Sequence, residues 1–132
     1  MKSMKLRCIV DGNARGSLLV TSQPIAFLQG VDPERGCVSD PKHQIYGQLF
    51  SGKILVFPNA VGSSVGAYVI YRLKKKGTAP KAIINQKTDI ITASGCALAG
   101  IPLFDLVENE VIELESGQKV KINARKSELI LS

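Results

Sequence analysis

The sequence predicts an α/β domain in which a central parallel β-α-β-α-β unit is flanked by antiparallel strands that form a small barrel or sheet. Three short apolar runs, "KILVF", "KAIIN" and "IPLFDLV", alternate with two stretches of helical periodicity. This alternation is typical of parallel strands joined by right-handed crossover helices. With 132 residues, of which 45% are hydrophobic, the chain is long enough to bury a core of its own.

The first half of the chain is predicted to form short strands separated by turns. "KLRCIV" ends at the turn-rich "DGNARG", and "SLLVT" resumes the extended pattern. An irregular segment of about twenty residues follows, "LQGVDPERGCVSDPKHQIYG", and ordered segments of this length are often functional. The next strand, "SGKILVF", is predicted to be fully buried because its apolar residues are consecutive.

The second half contains the two predicted helices. The first has Gly77 as its stop, and the second covers "QKTDIITASGCALAG" with Thr88 or Asp89 as its cap and Gly100 as its stop. Ile90, Ile91 and Gly95 weaken the prediction of the second helix. A hairpin around residues 116–117 and a last strand complete the chain. The apolar face of the first helix consists of Ala67, Val69, Ile70 and Leu73.

A glycine-serine corner, "FPNAVGSSVGAY" at residues 57–68, joins the buried strand to the first helix. Three interpretations are open on spacing alone. Ser63 or Ser64 caps the helix, or the helix start binds a phosphate or carboxylate through its free amides, or a serine acts as a nucleophile. The corner is not a P-loop, because no Gly-Lys-Ser/Thr follows the glycines. A serine hydrolase is disfavoured because the sole histidine, His43, precedes the serines.

Several polar residues are predicted to lie at the same sheet edge as this corner. The carboxyl ends of parallel strands meet at one edge, and ligands of open α/β sheets bind there. The glycines allow a close backbone approach to a ligand. The residues that follow the three strands are Gly62, Ser63 and Ser64 after the first, Asn85 and Gln86 after the second, and Asp105 at the third.

Charge and composition exclude some functions and weaken others. The net charge of +6 is compatible with an acidic partner or nucleic acid, but the cations are scattered along the sequence. Aromatic residues make up only 5%, so platforms for stacking bases are scarce. The apolar runs are too short to span a membrane, and no targeting signal is visible. We therefore expect a cytoplasmic protein.

The cysteines do not predict a metal site in this chain. Cys8, Cys37 and Cys96 are far apart, and none belongs to a CxxC pair. We expect three reduced cysteines and no metal ligands.

Several blocks of the sequence together resemble one family. They include "FLQGVDPERGCVSDPKHQIYGQ", "SGKILVFPNAVGSSVGAYVIYRL" and "GTAPKAIINQKTDIITASGCALAGIPLFD". Taken in order, their G-V-D-P, D-P-x-H and G-S-S-x-G elements are similar to those of the small, swivel-domain subunits of the aconitase X family. The resemblance covers nearly the whole chain and implies that residues 1–132 form one swivelling β/β/α domain.

The resemblance also implies a function. The expected reaction is the dehydration of (R)-5-phosphomevalonate to an anhydromevalonate phosphate in an archaeal-type mevalonate pathway. The active site would be shared with a larger, cysteine-bearing subunit that carries an iron–sulfur cluster, as a heterodimer. Aligning the Gly-Ser-Ser motif assigns proton acceptance to Ser63 and substrate binding to Gly62 and Ser64.

Some features differ from the family pattern or leave alternatives open. Val65 replaces the arginine that follows the serine pair in aconitases, so binding of a carboxylate by arginine cannot be inferred. Asp32 and His43 lie in family blocks, but turn formation before Pro33 explains Asp32, and a surface or hydrogen-bonded histidine explains His43; a direct role in the site is the less favoured alternative for both. The alternatives are a dehydratase of another small hydroxy acid such as a hydroxyproline, or a non-catalytic basic module that binds nucleic acid. Phosphomevalonate is preferred because the chain holds only the swivel domain.

Overall fold

The computed structural model describes residues 2–107 and 114–132. The predicted β-α-β-α-β unit is present, with an extended first half and two further strands at the end. The elements are β1 (Lys2–Val10), β2 (Ala14–Val20), α1 (Phe27–Gly30), β3 (Val31–Asp32), β4 (Cys37–Val38), β5 (Ile54–Phe57), α2 (Gly66–Lys76), β6 (Ala82–Asn85), α3 (Ile90–Ala99), β7 (Leu103–Leu106), β8 (Lys119–Asn123) and β9 (Glu128–Leu131).

Seven of these strands form a closed barrel in the order β1-β7-β6-β5-β2-β8-β9, and β9 pairs with β1 to close it. Strands β2, β5, β6 and β7 are parallel to one another, whereas β1, β8 and β9 pair antiparallel with their neighbours. The predicted "barrel or sheet" is therefore a barrel, and its closure gives each of these seven described strands a neighbour on both sides.

The parallel strands are buried on both faces, which explains their consecutive apolar residues. In β5, Ile54 and Val56 belong to the core inside the barrel, whereas Leu55 and Phe57 belong to the core beneath the helices. All four side chains are fully buried. The strand that was predicted from the run "SGKILVF" is thus confirmed with its burial over Ile54–Phe57, whereas residues 51–53 form a turn before it.

Helices α2 and α3 pack closely against each other on the outside of the barrel. A Cβ atom on Gly95 would lie 2.8 Å from Cβ of Ile70, so the glycine that weakens the helix prediction is what allows the two helices to approach. The predicted stops are confirmed, because Gly77 and Gly100 are both left-handed C-caps. Asp89 is confirmed as the cap of α3, since its side chain accepts a hydrogen bond from the Thr92 amide.

The long segment between β2 and β5 is ordered although it contains little regular structure. Among the described residues of this segment, regular secondary structure is limited to the single turn of α1 and the two-residue ladder of β3 and β4. The predicted turn at residues 116–117 is observed, but part of the strand expected before it lies in residues 108–113, outside the described residues. Within the described part of the chain, no helix is long and apolar enough to cross a membrane.

Candidate functional site

The glycine-serine corner lies on the surface, between the end of β5 and the start of α2. Gly62, Ser63 and Ser64 are all exposed. Gly62 has a φ of 88°, a left-handed conformation that a residue with a side chain adopts only with strain. The glycine therefore turns the chain so that both serines follow it at the carboxyl edge of the parallel strands.

Neither serine is the N-cap residue of α2, contrary to the simplest capping interpretation. The N-cap position is taken by Val65, which has helical backbone angles and makes no side-chain cap bond. Instead, Oγ of Ser63 accepts a hydrogen bond from the Val65 amide at 3.1 Å. The carbonyl groups of Ser63 and Ser64 accept from the amides three residues ahead. The helix thus begins with a tight turn that includes both serines.

The corner presents unpaired backbone donors to solvent. Among the described residues, no acceptor is hydrogen-bonded to the amides of Gly62, Ser63 or Ser64. These amides lie at the positive end of the α2 dipole. Together with the two hydroxyls they form a surface that can bind a phosphate or a carboxylate, as the second interpretation of the sequence expected.

The loop that carries the serines is fixed on two sides. On one side, residue 25 forms a parallel bridge with Ala60, through bonds from the Ile25 amide to the Asn59 carbonyl and from the Val61 amide to the Ile25 carbonyl. On the other side, Oδ2 of Asp89 accepts a hydrogen bond from the Ala60 amide at 2.6 Å. The backbone just before Gly62 is therefore held in place by both neighbouring segments.

Asp89 connects the serine loop directly to the start of α3. Its Oδ1 accepts from the Thr92 amide at 2.8 Å, and its Oδ2 accepts from the Thr92 hydroxyl at 2.8 Å as well as from Ala60. The sequence identified Asp89 as a candidate cap, but it carried no signal for the contact with Ala60, which is 29 residues away.

Asp105 and Asn85 lie at the same edge but are buried inside the fold. The buried carboxylate of Asp105 accepts two bonds from Arg7, at 2.8 and 2.9 Å, and one from the Thr88 amide at 3.2 Å. Burial raises the pKa of Asp105, but the bonds from Arg7 and Thr88 outweigh it, so the pKa lies below its ordinary value. Asn85 is fully buried and donates to the Phe57 carbonyl. Neither side chain is exposed to a substrate.

Asp32 and His43 have turn-forming roles. Oδ1 of Asp32 accepts from the amides of the two residues after Pro33. Nε2 of His43 lies 3.0 Å from the Pro24 carbonyl, and its Nδ1 accepts from the Ile45 amide at 3.3 Å. The neutral tautomer with hydrogen on Nε2 satisfies both contacts, so the imidazole stabilises the long segment.

An apolar surface surrounds the serines. A cleft of about 390 Å³ runs between α2 and α3, and Ser64, Tyr68, Ile90 and Leu98 are among its lining residues. Ile90 is 79% exposed and Tyr68 is 66% exposed. Val65, next to Ser64, is also exposed. Exposed apolar residues that cluster in this way are typical of protein interfaces.

The described residues do not fit a metal cluster. No group of three or more His, Cys, Asp or Glu side chains comes together within residues 2–107 and 114–132. Cys37 and Cys96 are buried and Cys8 is partly buried, all as free thiols. Burial raises the pKa of the Cys96 thiol to about 12, which disfavours the thiolate that a metal would need.

Comparison with protein families and curated proteins gives one consistent result. Residues 3–131 match the model of the aconitase X swivel domain. The chain is similar to the phosphomevalonate dehydratase small subunit of Thermococcus gammatolerans, with 50% identity over 96% of each chain. It is also 43% identical to the protein of the same name from Methanothrix thermoacetophila, over 97% of this chain and 95% of that one.

Comparison with solved structures agrees with the sequence matches. The fold is similar to that in the crystal structure of Thermococcus kodakaraensis aconitase X in its holo-form, with a TM-score of 0.94 and 45% identity. That match covers all of this chain and 99% of the other. The barrel and its two outer helices are therefore shared along the full length of both chains.

Proposed function

The chain belongs to the aconitase X swivel-domain family, and we propose that it is the small subunit of a hydro-lyase that dehydrates (R)-5-phosphomevalonate to an anhydromevalonate phosphate. Relatives that are 43–50% identical over most of this chain are named as small subunits of phosphomevalonate dehydratase. In the structure, one feature above all supports the proposal: Ser63 is exposed, and its hydroxyl accepts a hydrogen bond from the Val65 amide at the start of α2.

In this proposal Ser63, as its alkoxide, accepts the proton from the substrate carbon next to the carbon bearing the hydroxyl. The electron pair of that C–H bond forms the new double bond as hydroxide leaves the neighbouring carbon, and the cluster of the larger subunit would supply Lewis acidity for that departure. The Val65 amide points at Oγ of Ser63, so it stabilises negative charge on that oxygen. One hydrogen bond to a charged oxygen contributes about 1.5–3 kcal/mol, which is too little to make a serine a base in water. We therefore propose that the larger subunit supplies a cation and excludes water when the two chains close.

Gly62 and Ser64 have the proposed role of binding the substrate. The free amides of Gly62, Ser63 and Ser64 offer donors to an anion, and the Ser64 hydroxyl adds another donor. (R)-5-Phosphomevalonate carries both a carboxylate and a phosphate, so one of these groups has a site on this chain. Val65 follows the serine pair, where aconitases have an arginine. In this proposal the backbone amides bind the anionic group that such an arginine would otherwise bind.

A larger partner subunit is implied by the name of the relatives. We propose that it is cysteine-bearing, that it holds the iron–sulfur cluster, and that it forms a heterodimer with this chain, which acts as one swivel domain. The exposed apolar residues around the serines support this arrangement, because the partner would cover them while closing over the active site. The alternative of a nucleic-acid-binding module is not favoured, since the relatives are named as enzyme subunits.

Co-expression with the larger subunit tests the proposal. The purified complex should convert (R)-5-phosphomevalonate to a product that has lost one water, as measured by mass spectrometry, and neither subunit should do so alone. A parallel assay with hydroxyproline distinguishes the two substrate classes. Turnover of hydroxyproline without turnover of phosphomevalonate would replace the proposed substrate, and a complex that dehydrates neither compound would contradict the proposed activity.

A further inference from the structure

A group of cations meets at the end of the barrel opposite the serines. A cavity of about 500 Å³ is lined by Arg15, Lys74, Lys81 and Lys121, together with uncharged residues. A neighbouring cavity of about 400 Å³ shares Arg15, Lys81 and Lys121 and adds Lys119. Arg15 lies in β2 and Lys74 in α2, Lys81 directly precedes β6, and Lys119 and Lys121 lie in β8. We call the surface that these five residues form the basic groove.

The register of β2 and β8 places like charges directly opposite each other. Arg15 pairs with Lys121 across this antiparallel ladder, and Ser17 pairs with Lys119. Both lysines and Arg15 point away from the barrel interior, where Val120 and Ile122 are buried. Like charges directly opposite on one face of a sheet are destabilising. The arrangement therefore costs stability unless an anion neutralises it.

Lys81 adds a further positive charge to both cavities. Its side chain lies beside Gly16 of β2, where an added Cβ would lie 3.7 Å from its Cδ. Its Nζ lies 3.4 Å from the Arg15 carbonyl. Within the described part of the chain, the ion pairs involve Arg7, Arg72 and Lys76, so none of the five groove cations has a carboxylate partner there.

The basic groove is separate from the serine corner. Lys81 precedes β6, so it lies at the amino edge of the parallel strands, whereas the serines follow β5 at the carboxyl edge. Helix α2 links the two ends, and Lys74 lies about 12 Å along its axis from Gly66. A ligand in the groove therefore does not occupy the proposed active site.

We propose that the basic groove binds a small polyanion that carries at least two linked phosphate groups. The cavities fall within the size range of small-molecule sites, and their cations can each donate charge-assisted hydrogen bonds to phosphate oxygens. Arg15 can do so in bidentate fashion. No aromatic side chain lines either cavity, so the groove offers no stacking platform for the bases of a nucleic acid.

Calorimetric titration of the full chain with inorganic tripolyphosphate tests this proposal. The double variant Arg15→Gln/Lys121→Gln removes the cross-strand pair, and Lys5→Gln/Lys42→Gln removes the same charge from exposed positions outside the groove. We expect the wild type to bind one tripolyphosphate, and the groove variant to bind at least about tenfold more weakly because two charged donors are lost. The control should change affinity less than about threefold, and raising salt from about 50 to about 300 mM should weaken binding.

A second measurement keeps the test independent of folding. The groove variant should unfold at the same or a higher temperature than the wild type without ligand, because the like-charge pair is gone. At one fixed concentration, tripolyphosphate should raise the melting temperature of the wild type and of the control variant more than that of the groove variant. Titration with ATP in place of tripolyphosphate shows whether the groove recognises a phosphate chain alone or a nucleotide. Equal affinity assigns recognition to the phosphate chain, and tighter ATP binding assigns it to a nucleotide; both results support the proposal.

Three outcomes would overturn the proposal: no saturable binding of tripolyphosphate, equal weakening in the groove variant and the control, or tight binding of single-stranded RNA without binding of tripolyphosphate. None of them bears on dehydratase activity, which is measured on the assembled complex with a different substrate and at a different site.

Discussion

Replacing Asp89 by alanine removes the side chain that joins the serine loop to α3. Three hydrogen bonds are lost, from the Thr92 amide, the Thr92 hydroxyl and the Ala60 amide. Loss of an N-cap costs about 1 kcal/mol. Ala60 is only 5% exposed, so its unpaired amide costs about 1–3 kcal/mol more. We expect the free energy of unfolding to fall by about 2–4 kcal/mol, a large part of the stability of a domain this size.

The variant Asp89→Asn separates the two contributions. Asparagine is a good N-cap residue and keeps an oxygen for the Thr92 amide, but it can turn its NH₂ group towards the Ala60 amide, where two donors face each other. We expect Asp89→Asn to lower the free energy of unfolding by about 1–3 kcal/mol while its side chain still caps α3. Asp40→Ala is the matched control, because the exposed Asp40 accepts a single bond, from the Lys42 amide, and should change stability by less than about 0.5 kcal/mol.

Urea denaturation measures these differences, with an unchanged slope as the sign that the transition remains two-state. Hydrogen exchange at the Ala60 amide gives a local readout, since it should accelerate in both Asp89 variants. In the assembled complex, turnover should fall with Asp89→Asn because the backbone before Gly62 loses one of its two fixed points. Asp89→Asn with wild-type stability and wild-type exchange at Ala60 would refute the reasoning.

Three other predictions concern the interface, the helix packing and pH. Ile90→Asp should reduce recovery of the larger subunit in co-purification while the free chain stays folded, whereas Leu49→Asp, at another exposed apolar position, should not. Gly95→Ala should lower the free energy of unfolding by about 1–3 kcal/mol, because the added methyl group overpacks against α2. The control Ser94→Ala, at an exposed position of the same helix, should change it by less than about 0.5 kcal/mol. The lowered pKa of Asp105 stabilises the fold above the unfolded pKa of about 4, and this contribution is lost as pH falls through the lower folded value. Asp105→Asn should therefore flatten the acid side of a plot of stability against pH, and an unchanged slope would contradict this assignment.

Local sequence patterns predicted most of the fold. Consecutive apolar residues identified β5 and β6 because strands covered on both faces have no polar side, and glycines marked the ends of α2 and α3 because a left-handed residue is needed there. Gly95 weakened the prediction of α3, which the structure confirms, since a single sequence does not reveal that Ile70 of another helix lies 2.8 Å from the Cβ position of Gly95.

Contacts between distant residues could not be predicted in this way. The ion pair of Arg7 with Asp105 spans 98 positions, and Arg15 lies opposite Lys121 only because β2 and β8 share one register. Charges that are scattered in the sequence thus converge on one surface. The place of Ser63 at the carboxyl edge of the sheet was predicted from the order of strand and helix, whereas its bond to the Val65 amide depends on a tight turn that propensities do not specify.

The central claim is that the Ser63 hydroxyl accepts a proton during dehydration, and kcat of the assembled complex with Ser63→Ala tests it most directly. We predict that the complex assembles normally and that kcat falls by about 10²–10⁴-fold, while Ser64→Ala mainly raises KM. A Ser63→Ala complex that keeps kcat within about tenfold of wild type would contradict the claim.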